Sequence, residues 1–155
     1  MPNLIADLDL PDEAATAALA ARLAAVVGPG DVLLLSGPIG AGKSALARAL
    51  IRRATGNPAE DVPSPTFTLV QTYATPRGEI WHADLYRLSH PDEVLELGLA
   101  EAFDTAICLV EWPDRLGGLA PPGALEIALA AGRESHRATI TGPDSWRTRL
   151  EAALA

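Results

Sequence analysis

Apolar residues fill most of the stretch AATAALAARLAAVV, with Arg22 breaking the run, acids at Asp12 and Glu13 ahead of it, and Gly28 behind. Acids in a first turn and a closing glycine predict a helix from near Pro11 or Asp12 to Gly28. The next apolar run, DVLLLS, is short and continuous, as in a buried strand over 32–35. Over 45–54, Leu46, Ala49 and Leu50 recur at helical spacing with arginines on the other face, and ATGNP ends that helix. Beyond a Pro-rich loop, TLVQTYATPRGEIWHAD reads as two strands turning at TPRGE. SHPDEVLELGLAEAF has the pattern of a short helix, TAICLVEW of a buried strand, and ALEIALAAGRESHRATITG of a second hairpin turning at AGRE. PDSWRTRLEAALA closes as a helix with Pro143 near its start. Alternating α/β units with two hairpins predict one domain over residues 1–155, an α/β fold with a mixed sheet and helices on both faces.

The turn between the first strand and its helix carries the chemistry. Gly37, Gly42, Lys43 and Ser44 in GPIGAGKS fill the G-x-x-x-x-G-K-[ST] template of a phosphate-binding loop, in the strand–turn–helix context that template requires. The backbone of Gly37, Ile39, Gly40, Ala41 and Gly42 would wrap an anion, with amides and the helix N-terminus directed at it. Lys43 would reach the β- and γ-phosphates, and the Ser44 hydroxyl would ligate Mg²⁺. Lys43 is the only lysine among the 12 Lys and Arg residues, so arginine serves wherever else a positive charge is needed. A phosphate loop uses a compact ammonium rather than a planar fork.

Such a site needs a carboxylate at the end of a neighbouring strand. Glu111 ends ICLV and Asp84 ends IWHAD. A turn residue would give the same pattern at either place, and Asp84 is undecided on spacing alone. SPTFT, stiffened by proline and rich in hydroxyls, lies where switch loops lie, so Ser64 or Thr66 could sense the γ-phosphate; an ordinary Ser/Thr turn fits equally. His82, His90 and His136 have no metal-ligand spacing, and His82 reads as a structural histidine within a strand. Trp112 reads as core, with packing over a nucleotide as the other option.

Composition narrows the partners. The 16.2 kDa chain is 48% hydrophobic and 21% charged, as globular domains are. Its net charge of −8 and pI near 4.7 have the wrong sign for a protein that grips nucleic acid alone. The one cysteine, Cys108 in AICLV, excludes a disulfide framework, reads as buried, and fits a reducing compartment, the cytoplasm. MPNLIADLDLPDE lacks the basic and apolar segments of a signal peptide, and no apolar stretch reads as a membrane span.

Taken in order, GPIGAGKS, SPTFTLV, HADLYRL, DEVLELGL and CLVEWPDRL make the chain resemble the TsaE (YjeE) family of bacterial ATPases in tRNA threonylcarbamoyladenosine biosynthesis. The resemblance runs from LPDE to the AGRE turn. It implies a P-loop NTPase-like fold, binding and hydrolysis of ATP with Mg²⁺, and a complex with TsaB and TsaD, which modify the adenosine next to the anticodon. tRNA would be met only through that complex. The resemblance also implies that Lys43 and Ser44 serve the phosphates and the metal. Asp84 and Glu111 would serve metal binding and hydrolysis, Trp112 would stand at the active site, and Glu13 and Arg133 near the nucleotide. Two departures stand out: GKSA replaces the more frequent GKTT, removing a hydroxyl at Ala45, and His82-Ala83 replaces His-Phe.

Three rival readings can be weighed against this one. A GTPase would need an N-K-x-D motif, which a chain with its single lysine in the loop cannot contain. A small-molecule kinase would carry an Arg-rich lid, whereas the arginines here are scattered. A non-hydrolysing adaptor gated by nucleotide stays open on sequence.

Overall fold

The computed structural model describes residues 3–65, 68–132 and 135–151, and the helical backbone of 152–154. Seven strands and five α-helices run in the order β1 (Asn3–Leu10), α1 (Glu13–Val26), β2 (Val32–Ser36), α2 (Lys43–Thr55), β3 (Val70–Thr75), β4 (Gly78–Asp84), α3 (Glu93–Glu96), α4 (Leu99–Thr105), β5 (Ile107–Glu111), β6 (Leu125–Ala131), β7 (His136–Gly142) and α5 (Asp144–Leu154). A 3-10 segment over Pro113–Leu119 links β5 to β6.

The strands form one mixed sheet in the order β1-β7-β6-β2-β5-β4-β3. Its centre, β6-β2-β5-β4, is parallel, and each side is extended by antiparallel pairing. Successive residues of the central strands point to opposite faces. Leu33, Leu35, Ile107 and Leu109 therefore pack on one side with α1, α2 and α5, through Leu23, Leu46, Leu50, Trp146 and Leu150. Val32, Leu34, Cys108 and Val110 pack on the other with α3, α4 and the 3-10 segment, through Val94, Leu99, Phe103 and Leu116. Burial on both faces is why the parallel strands read as continuous apolar runs.

Several boundaries match the sequence reading. Asp12 caps α1 by accepting from the Ala15 amide at 2.9 Å, and Gly56 ends α2 in the left-handed conformation. Two elements differ. The helix expected over SHPDEVLELGLAEAF is two short pieces, because Gly98 takes φ 76° between them. Strand β1 was not anticipated. It pairs with β7, and Arg137 of β7 holds Asp7 through two bonds of 2.7 and 2.8 Å.

Candidate functional site

Parallel strands β2, β5 and β4 end at one edge of the sheet, so the segments leaving all three must converge there. Crevices beyond the carboxyl ends of parallel strands are where open α/β sheets take ligands. After Ser36 the chain turns through a glycine loop into α2. Gly37 has φ 135°, and a Cβ on it would lie 2.2 Å from the Leu129 carbonyl oxygen of β6. Only glycine lets β2 turn so close to its neighbour. Gly40 has φ 85° with nothing within 4 Å of a would-be Cβ, so the crown of the loop is open. Gly42, at φ 103°, starts α2 and, having no side chain, supplies no cap to the first-turn amides.

Lys43 is 5% exposed and donates to the carbonyls of Gly37 at 2.6 Å and Pro38 at 2.9 Å. Its Nζ also stands 4.2 Å from the centroid of the Trp112 ring. Burial holds this amine below its usual range, opposed by the negative charges of Glu111 and Asp84. Trp112 reaches that position by taking a left-handed backbone, φ 58° and ψ 54°, directly after β5, and Tyr86 packs on it with ring centroids 4.9 Å apart.

The acids lie beside this cation. Asp84 and Glu111 are paired residues at the ends of β4 and β5. Glu111 is 1% exposed; its Oε1 accepts from the Ser44 hydroxyl at 2.9 Å and its Oε2 lies 2.6 Å from His82 Nε2. Asp84 accepts from the Tyr86 amide at 3.0 Å. Among the described residues no group of three or more His, Cys, Asp or Glu side chains converges as a metal cage. A hydroxyl and two carboxylates are hard oxygen donors that suit a cation completing its shell with water and phosphate oxygens.

A cleft of about 580 Å³ opens over these groups, lined by Ile39, Gly40, Lys43, Ser44, Glu111 and Trp112 among others. A second, of about 640 Å³, lies between the start of α1 and the exposed side of α2. Gly42, Ala45 and His136 line both, so the two clefts adjoin at the start of the helix.

Of the residues expected from sequence, Ile39, Gly40, Gly42, Lys43, Ser44, Asp84, Glu111 and Trp112 line the smaller cleft, as does Ser64. Glu13 lines the larger one. Ala41 is 1% exposed, with its methyl in the core and its amide donating to the Pro38 carbonyl at 3.2 Å. Gly37 supports the loop from below, against β6. Thr66 and Arg133 lie outside the described residues. Trp112 packs half-buried against the second core cluster and also faces Lys43. Sequence reasoning missed Tyr86 and His136 as cleft residues. His82, expected as a satisfied structural histidine in a strand, is buried in β4 with its Nε2 2.6 Å from Glu111. His82 lies two residues before Asp84 in a strand, hence on the same face, and that alternation was the available signal.

Compared with models of protein families, residues 10–139 match the one described as "Threonylcarbamoyl adenosine biosynthesis protein TsaE". The chain belongs to the TsaE family. A relative from Rickettsia felis, named tRNA threonylcarbamoyladenosine biosynthesis protein TsaE, is 40% identical over 130 residues, covering 84% of this chain and 75% of that protein. A Bacillus subtilis protein of the same name is 36% identical over 128 residues, 81% of this chain and 78% of its own. The crystal structure of YdiB from Bacillus subtilis matches with a TM-score of 0.81 at 28% identity, over 99% of this chain and 95% of that one. The part matched by the family model holds every element of the cleft, and leaves out most of β1 and all of α5.

Proposed function

We propose that this TsaE family member is the ATP-binding, Mg²⁺-dependent ATP-hydrolysing component of the machinery that forms threonylcarbamoyladenosine next to the anticodon of tRNA. In this reading it works in the cytoplasm with TsaB- and TsaD-type proteins and is not itself the transferase. The observation that carries it is the convergence of an uncapped helix start, a lone lysine and a hydroxyl–carboxylate pair at the carboxyl ends of three strands.

The roles rest on chemistry. The loop from Gly37 to Gly42 is the phosphate-binding loop, its open crown at Gly40 giving anions access to backbone amides. Lys43 exchanges its bonds to Gly37 and Pro38 for bonds to the β- and γ-phosphates. Ser44, Asp84 and Glu111 would hold Mg²⁺, which would supply positive charge against the phosphates. Glu111 and Asp84 would position the attacking water, and one of the two carboxylates would take its single proton. The nucleoside extends past Ala45 and His136 into the larger cleft toward Glu13. Trp112 and Tyr86 wall the γ-phosphate side and exclude solvent. No helix among the described residues is long and apolar enough to cross a membrane, and the net charge of −8 leaves tRNA to be held by the partners.

The test is single-turnover ATP hydrolysis by the pure chain and then with a TsaB–TsaD-type complex, together with filter binding of tRNA. Slow hydrolysis alone, clear stimulation by the complex and negligible tRNA binding without it are expected. Fast hydrolysis unchanged by partners overturns the proposed role. Nucleotide binding with no hydrolysis under either condition makes the chain a nucleotide-gated adaptor instead.

A further inference from the structure

The Glu111 carboxylate sits at the middle of a three-residue chain. One oxygen takes the Ser44 hydroxyl at 2.9 Å and the other faces His82 Nε2 at 2.6 Å. His82 is 1% exposed, and among the described residues its Nδ1 has no hydrogen-bond partner. A proton on Nδ1 would be a buried donor with nothing to receive it, which costs about 1–3 kcal/mol. The imidazole therefore carries its proton on Nε2 and donates it to Glu111, leaving Nδ1 as a bare lone pair in the apolar layer.

This bond orients the acid. The terminal torsion of a glutamate is broad and two-fold, so one hydrogen bond leaves the carboxylate free to rotate. With His82 fixing Oε2 from within the sheet, Oε1 stays directed at Ser44 and the cleft. His82 is itself fixed because Gln71 and Leu109 flank it in β3 and β5. It is 1% exposed and lines neither cleft.

Building on the ATPase reading above, we propose that His82 is a positioning residue for hydrolysis, which acts by holding Glu111 toward Ser44 through a hydrogen bond from Nε2. Two amide substitutions of similar polarity should then behave differently. A glutamine amide stands close to where Nε2 stands, whereas an asparagine amide ends near Nδ1 and falls short of Glu111. With the full chain and its partner complex, His82→Asn should lower kcat about 10-fold or more, because displacing a catalytic group by 1 Å can cost about 10²-fold. KM for ATP should stay near wild type, and His82→Gln should recover most of the rate. Nitrogen-15 NMR of the imidazole in the ligand-free protein gives a readout independent of turnover. It should show the Nε2–H tautomer, and the His82 signals should move in Glu111→Gln.

Equal kcat for the Asn and Gln variants, KM rising in step with the fall in kcat, or an Nδ1–H tautomer would each overturn the positioning role while leaving the ATPase reading intact. A wild-type chain that hydrolyses no ATP, with or without partners, overturns both.

Discussion

Replacing Lys43 by methionine tests the proposed site with two measurements that should move differently. The substitution keeps an unbranched apolar stem against Trp112 and removes the ammonium. In the ligand-free protein that ammonium holds two loop carbonyls, Gly37 at 2.6 Å and Pro38 at 2.9 Å. Binding to phosphate exchanges these bonds for others, so the gross value of two charge-assisted contacts overstates the loss. A net difference of about 1.5–3 kcal/mol, the worth of one such bond, corresponds to about 10–150-fold weaker Mg²⁺-ATP binding. Stability should not change in parallel. Pro38 is exposed and Gly37 partly so, so water can take over their carbonyls. The variant also removes a charge that burial disfavours. Calorimetric titration should therefore show weakened binding while the thermal midpoint holds or rises. Unchanged affinity would refute the lysine–phosphate contact. Loss of binding together with a collapsed midpoint would make Lys43 a structural residue and refute the reasoning differently.

Other parts of the site carry their own expected outcomes. Glu111→Gln and Asp84→Asn should each lower single-turnover hydrolysis about 10²-fold or more with much smaller changes in nucleotide affinity; wild-type rates in either variant remove that acid from the chemistry. Gly37→Ala should cost more than about 2 kcal/mol in denaturant unfolding, since backbone strain of 1–3 kcal/mol is joined by a clash, its Cβ falling 2.2 Å from the Leu129 carbonyl. Gly40→Ala should cost only about 1–2 kcal/mol, having open space around it; equal losses would contradict the close approach to β6. Burial pushes the Cys108 thiol from 9.0 up to about 12, so a thiol reagent should modify it only on unfolding. Between those values the unfolded thiol binds fewer protons than the native one, and its contribution to stability falls by about 1.4 kcal/mol per pH unit as pH rises. Cys108→Ala should lack that component of the alkaline slope.

The central strands and the loop were legible because their signals are local. DVLLLS and AICLV are apolar runs that only a sheet covered on both faces can use, and the spacing of Gly37, Gly42, Lys43 and Ser44 is a template in itself. The Ser44–Glu111 bond spans 67 residues and could be anticipated only because the template demands an acid near its hydroxyl. No template pointed to His82, whose partner lies 29 residues away on a parallel strand; the alternation that puts it on the face of Asp84 has meaning only once the sheet is known. Strand β1 alternates as well, with Ala6, Leu8 and Leu10 between Asp7 and Asp9. Its burial is modest, and the charges on its outer side are explained by an arginine some 130 residues on. The break at Gly98 was visible as a glycine within a short helical pattern, where its left-handed φ splits the element.

The pairing of β1 with β7 has a consequence for synthesis. Asn3 lies opposite Gly142 and Leu10 opposite His136, so β1 pairs with a strand made after all the other described strands. At about 5–20 residues per second, 130 residues of delay leave β1 without its neighbour for roughly 7–26 s. During that interval the α1–β2–α2 unit, whose contacts are local, can already condense. β6, made later, has an open side until β7 folds back onto it. A chain stalled before residue 136 would thus leave β1 unpaired and one side of β6 bare, and unpaired edges are where chains associate with one another. Docking of β7 closes both gaps in one step, because it is the strand that lies between β1 and β6.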